Sequence, residues 1–101
     1  MAALLTAGAV DAALARGLAW ERHDGELVKV RRGPDFAHAL AYVNAVGALA
    51  QELDHHPDID IRWNTVTLRL WTHTAGGITE LDLDLARRID ALEGAGAAPR
   101  G

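Results

Sequence analysis

Residues 51–63 read "QELDHHPDIDIRW", and along this stretch the chain changes from one kind of element to another. Upstream, Phe36, Leu40, Val43 and Ala50 recur at helical spacing, and Ala39, Tyr42, Val46, Leu49 and Leu53 widen the same stripe. The pattern predicts a helix over about residues 35–54. Pro57 ends it, because proline drives the residue before it out of helical geometry. Downstream the apolar period changes from about 3.6 residues to about 2. Ile59, Ile61 and Trp63 alternate with Asp58, Asp60 and Arg62, which predicts a strand. His55 and His56 occupy the corner between the two elements.

Outward from that corner the pattern stays regular. "TVTLRLWTH" (65–73) alternates again, with Val66, Leu68 and Leu70 on one face and Thr67, Arg69, Trp71 and His73 on the other. On the N-terminal side, "LAWERHDGELVKVRR" (18–32) holds Asp24-Gly25 between two alternating runs, a strong hairpin signal. "LTAGAVDAALARG" (5–17) reads as a weakly apolar helix capped by Thr6 and stopped by Gly17. After Gly76-Gly77, "TELDLDLARRIDAL" (79–92) reads as an amphipathic helix with Ile78, Leu81, Leu85, Ile89 and Leu92 on its stripe. The order is α-β-β-α-β-β-α. It implies an α+β fold, with a four-stranded, mostly antiparallel sheet carrying its helices on one face. Residues 1–101 form a single domain, with a tail that frays from about residue 94. Such a sheet has two free edges, and no edge proline or row of lysines guards them, so subunit pairing is expected.

Composition excludes several functions. The net charge is −4 and the pI about 5.6, which argues against an electrostatic nucleic-acid binder. There is no cysteine, hence no disulfide framework and no thiolate metal site. No apolar run approaches the roughly 18 residues of a membrane span. The apolar N-terminal run lacks basic residues and is broken by Asp11, so it reads as helix rather than signal peptide, and a cytoplasmic location is expected.

The corner carries the chemistry. A histidine pair at a helix C-terminus gains from the macrodipole, and that alone accounts for a pair of partly capping side chains. His73, however, ends the fourth strand just before a glycine loop, where it can meet the helix end. Asp54 and Asp82 add carboxylates able to orient imidazoles, although "TELD" (79–82) is also a capping box. Histidine titrates near neutral pH, so three converging rings suit moving protons on and off a substrate. Trp63 reads either as core or as a substrate platform. A zinc site on His55, His56 and His73 is disfavoured, because adjacent histidines rarely converge on one ion. His23 and His38 read as surface residues.

These positions resemble the pterin-4a-carbinolamine dehydratases. That signature is an acidic residue, three residues, His-His-Pro, an aromatic, a further histidine and then an aspartate. Here its parts stand at Gln51, His55-His56-Pro57, Trp63, His73 and Asp82, and the likeness spans about residues 3–93. It implies removal of water from 4a-hydroxytetrahydropterin to give quinonoid dihydropterin, with no cofactor and no metal. By position His55, His56 and His73 are the catalytic candidates, and Asp54, Gln51, Trp63 and Asp82 the substrate-binding ones. A homodimer or homotetramer is implied, with a pterin as the small-molecule partner and neither nucleic acid nor membrane. Some animal relatives are also dimerisation cofactors of a transcription factor, so a non-catalytic pterin-binding or interaction module is the alternative. The chain departs from the pattern twice. Gln51 replaces the acidic residue, and Ile59 stands where animal members often carry an aromatic.

Overall fold

The computed structural model describes residues 2–94. Its elements are α1 (Ala7–Ala15), β1 (Glu21–His23), β2 (Glu26–Arg32), α2 (Phe36–Leu53), β3 (Asp58–Arg62), β4 (Thr65–Leu70) and α3 (Glu80–Gly94). The sheet order is β1-β2-β4-β3, and all three pairings are antiparallel. The expected α+β order is therefore the observed one. The tail expected to fray lies, from residue 95, outside the described residues.

Local chemistry accounts for the element ends. Thr6 caps α1 by accepting the Ala9 N–H at 3.1 Å, and Gly17 leaves the helix at φ 115°. Asp24 takes φ 54° in the β1–β2 turn, a conformation Asp tolerates better than most residues. Asp35 caps α2, accepting both the backbone N–H of His38 and its Nδ1 at 2.6 Å. His38 is thus half-buried against the cap, whereas His23 is exposed beside Glu21.

Register decides which side chains meet. Leu27 lies opposite Leu70, Lys29 opposite Leu68 and Arg31 opposite Val66, all on the helix-covered face. Tyr42 and Val46 of α2, with Leu85, Ala86 and Ile89 of α3, bury themselves against that face. The open face carries Val28, Val30, Thr67 and Arg69, with Val30 exposed.

Two sequence expectations fail. Arg62 pairs with Thr65, so Trp63 and Asn64 form a two-residue turn rather than extending the strand. Trp63 takes φ 54° and stands 66 % exposed. The stripe of α3 is also rotated from the expected one. Asp82 is fully buried and Leu81 is 46 % exposed, because the carboxylate takes an inward position that a hydropathy pattern assigns to an apolar residue.

Candidate active site

The corner is built by the exit from α2. Asp54 adopts the left-handed conformation, φ 50° and ψ 44°. Its N–H donates to the Gln51 carbonyl at 3.3 Å and that of His55 to the Ala50 carbonyl at 3.1 Å, a Schellman closure. Glycine is the usual residue there, so an aspartate carries backbone strain at the rim of a pocket. His55 and His56 therefore follow the helix rather than end it. Their rings diverge because the chain has turned, not because helical residues are about 100° apart.

His55 points toward α3. Its Nε2 lies 2.5 Å from Asp82 Oδ1. Asp82 Oδ2 accepts the Thr72 hydroxyl and the Thr79 N–H, each at 2.8 Å. Thr79 Oγ1 lies 2.8 Å from Thr72 Oγ1 and accepts the Leu81 N–H at 3.2 Å. Asp82 therefore closes the capping box with Oδ2 and meets the His55 ring with Oδ1. Facing a carboxylate that only accepts, His55 Nε2 is the donor of this bond, and Nδ1 lies on the other side of the ring.

His56 turns the other way, and its Nε2 lies 2.6 Å from Gln51 Oε1. The amide oxygen accepts, so His56 too is protonated at Nε2, beside a neutral partner. His73 arrives from β4 through a tight loop, in which Thr72 N–H donates to Gly77 O at 2.8 Å and Gly76 takes φ 76°. Its ring stacks on Trp71, with centroids 4.0 Å apart and planes 24° from parallel.

These parts enclose a cavity of about 390 Å³ lined by Asp54, His55, His56, Trp71, Thr72, His73, Thr74 and Leu81. The structure thus brings together all three catalytic candidates and Asp54, with Gln51 and Asp82 each holding one imidazole. Asp54 bonds neither ring, so the orienting role open to it falls to Asp82 and Gln51. Trp63 does not line this cavity. It lies at the far end of β3, five residues or roughly 16 Å of strand from the corner. Trp71, Thr72 and Thr79 were missed. The two-residue spacing of Trp71 and His73 on one side of a strand was the available signal for the tryptophan. Among the described residues, no three His, Cys, Asp or Glu side chains are grouped to hold a metal ion.

Asp82→Asn tests the His55 arrangement. The amide can still accept from Thr72 and Thr79, but its NH₂ then faces His55 Nε2 and forces the other tautomer. Stability should fall by about 1–2 kcal/mol, the scale of a weakened cap and hydrogen bond. Turnover should fall about tenfold to a hundredfold, since a misdirected imidazole loses much of its proton-transfer role. Thermal melts and initial rates measure the two effects.

The chain is thus an α+β protein whose pocket carries three imidazoles. Residues 3–92 match pterin 4 alpha carbinolamine dehydratase, and the chain belongs to that family. It is 51 % identical over 90 residues to a protein of Mycobacterium sp. (strain KMS) provisionally named pterin-4-alpha-carbinolamine dehydratase, covering 89 % of this chain and 96 % of that one. The crystal structure of a transcriptional coactivator/pterin dehydratase from Brucella melitensis superimposes with TM-score 0.81 at 31 % identity, covering 87 % of this chain and 96 % of that one. A pterin dehydratase-like protein described as a RuBisCO assembly factor in the alpha-carboxysome superimposes with TM-score 0.60 at 29 % identity, covering 74 % and 87 %.

Proposed function

We propose that the chain is a 4a-hydroxytetrahydropterin dehydratase, a hydro-lyase using histidine acid–base catalysis in the cytoplasm to regenerate a pterin cofactor. The observation that carries this reading is the convergence of His55, His56 and His73 on one pocket. In the reaction one imidazolium gives its proton to the 4a-hydroxyl and the C4a–O bond breaks, releasing water. A second imidazole takes the N5 proton, and that electron pair forms the C4a–N5 double bond. The protonated and free imidazoles exchange roles over the turnover, so the cycle needs no other reactant. His55, His56 and His73 share these roles, and Asp54, Asp82 and Gln51 bind substrate or hold the rings. Dehydration of freshly generated 4a-hydroxytetrahydropterin, followed against the spontaneous rate, tests the reading. A rate equal to the uncatalysed one sinks it.

Gln51 supports a second reading, a pterin-binding or protein-interaction module without turnover. The names of the two solved relatives, a coactivator and an assembly factor, point the same way. Pterin binding without acceleration separates this reading from the first.

The proposed enzyme is a homodimer or homotetramer. Among the described residues β3 pairs with β4 and with no other strand, leaving the backbone groups of Asp58–Arg62 open along one edge. Phe36 and Leu40 of α2 are 44 % and 42 % exposed. Light scattering at micromolar concentration should give a multiple of 10.8 kDa. A monomer mass overturns the assembly.

A further inference from the structure

We propose that Trp71 is the positioning residue of His73, holding that imidazole at the pocket as Asp82 holds His55 and Gln51 holds His56. The proposal rests on the dehydratase reading and adds to it a residue that the family signature does not contain.

The three rings are secured unequally. His55 and His56 each have a hydrogen-bond partner at their Nε2. His73 is exposed, and among the described residues no group hydrogen-bonds its ring. An exposed side chain changes rotamer on the picosecond to nanosecond scale. Without a partner, His73 therefore faces the pocket for only part of the time. Its ordered ring contact is the Trp71 indole, at 4.0 Å and 24°. Near-parallel rings at this separation attract each other and fix the plane of the smaller one.

The backbone makes the pairing inevitable. Thr72 turns inward, its hydroxyl on Asp82 and its backbone bridged to Gly77. The residues on either side of it, Trp71 and His73, are thereby turned to the same side. Trp71 is half-buried and lines two depressions. One is the histidine pocket, and the other is bounded by Gly25, Glu26, Asp58 and Gly76. The indole thus forms a wall shared by the two depressions, with one face turned to the imidazole.

The test separates positioning from substrate contact. Trp71→Leu keeps apolar volume and removes the ring, and Trp71→Phe restores a ring. If Trp71 orients His73, Trp71→Leu lowers kcat by about 10- to 100-fold, the scale of a misplaced catalytic group, with KM nearly unchanged. Trp71→Phe then recovers most of the loss. A change in KM alone, or an unchanged kcat in a variant where His73→Ala is still damaging, overturns the proposal. A second readout does not depend on activity. Stacking on the indole displaces the His73 ring-proton resonances in the NMR spectrum of the wild type, and His73→Ala identifies them. Resonances at ordinary exposed-histidine positions overturn the proposal even if Trp71→Leu does not fold. A wild type without dehydratase activity refutes the functional reading, and the spectrum still decides whether Trp71 fixes His73.

Discussion

His56→Ala and His73→Ala each slow dehydration by about 10²- to 10⁴-fold, the contribution typical of proton transfer by a positioned side chain. Both residues are exposed at the pocket mouth and bonded to little else, so neither removal disturbs the core. Melting temperatures should stay close to wild type, which makes the kinetic loss interpretable. His55→Ala behaves differently. It leaves buried Asp82 with one oxygen unpartnered, so it lowers stability as well as rate. If His55 chiefly holds the substrate, its kinetic cost is the smallest of the three. His23→Ala is the control for activity, since His23 pairs only with Glu21 on the first hairpin. His38→Ala should also leave the rate unchanged, because its partner Asp35 belongs to the cap of α2. Full activity in both His56→Ala and His73→Ala, with native stability, would reduce the histidine pair to a helix exit and end the catalytic reading.

What the sequence made legible were features with short-range causes. The Asp24-Gly25 hairpin, the Thr6 cap and the period change between α2 and β3 each depend on a few neighbouring residues, whereas α2 ends on the left-handed Asp54, three residues before the expected stop at Pro57. Trp63 was misplaced because its turn contains no glycine, so the alternation of "DIDIRW" seemed to run one residue further than the ladder does. The stripe of α3 was misplaced because Asp82 buries a charge, and besides the local Thr79 N–H its partners are distant in sequence. Those partners are His55, 27 residues away, and Thr72, 10 residues away. The same holds for the candidate site. Its histidines were identifiable from residue type and spacing. Which group holds each ring depends on tertiary contacts, so Trp71 was placed on the face of His73 without a role, and Asp54 was offered beside Asp82 as an orienting carboxylate although it bonds neither ring.

Lys29 shows the same limit and carries the largest expected effect on stability. Lys29→Met and Lys29→Ala should each destabilise the fold by about 3–5 kcal/mol in urea unfolding, the cost of breaking a buried ion pair from one side. On an alternating strand a lysine reads as solvent-facing, yet Lys29 is only 7 % exposed, between Leu27 and Arg31 on the helix-covered face. Its ammonium lies 2.6 Å from Asp90 and 2.7 Å from Glu93, 5.8 Å above the Trp20 ring. Asp90 also accepts from Trp20 Nε1 and the Ala19 N–H, each at 2.8 Å, and Glu93 from the Tyr42 hydroxyl at 3.1 Å. Burial, and then the charge of Glu93, push the Tyr42 phenol far above its ordinary pKa, so it remains a donor. Without the lysine, Asp90 keeps only its neutral donors, whereas Glu93 keeps the Tyr42 hydroxyl and the Arg31 guanidinium at 3.6 Å. Methionine keeps the stem and removes the charge, so the difference between Lys29→Met and Lys29→Ala measures the cavity separately. Combining Lys29→Met with Asp90→Asn should recover part of the loss, because Asp90 is then uncharged while Glu93 keeps Arg31. Activity per folded molecule should persist in all of these variants. Asp90 lies eight residues along α3 from Asp82, roughly 12 Å from the end that holds His55. If Lys29→Met costs less than about 1 kcal/mol, the network behaves as an exposed salt bridge does.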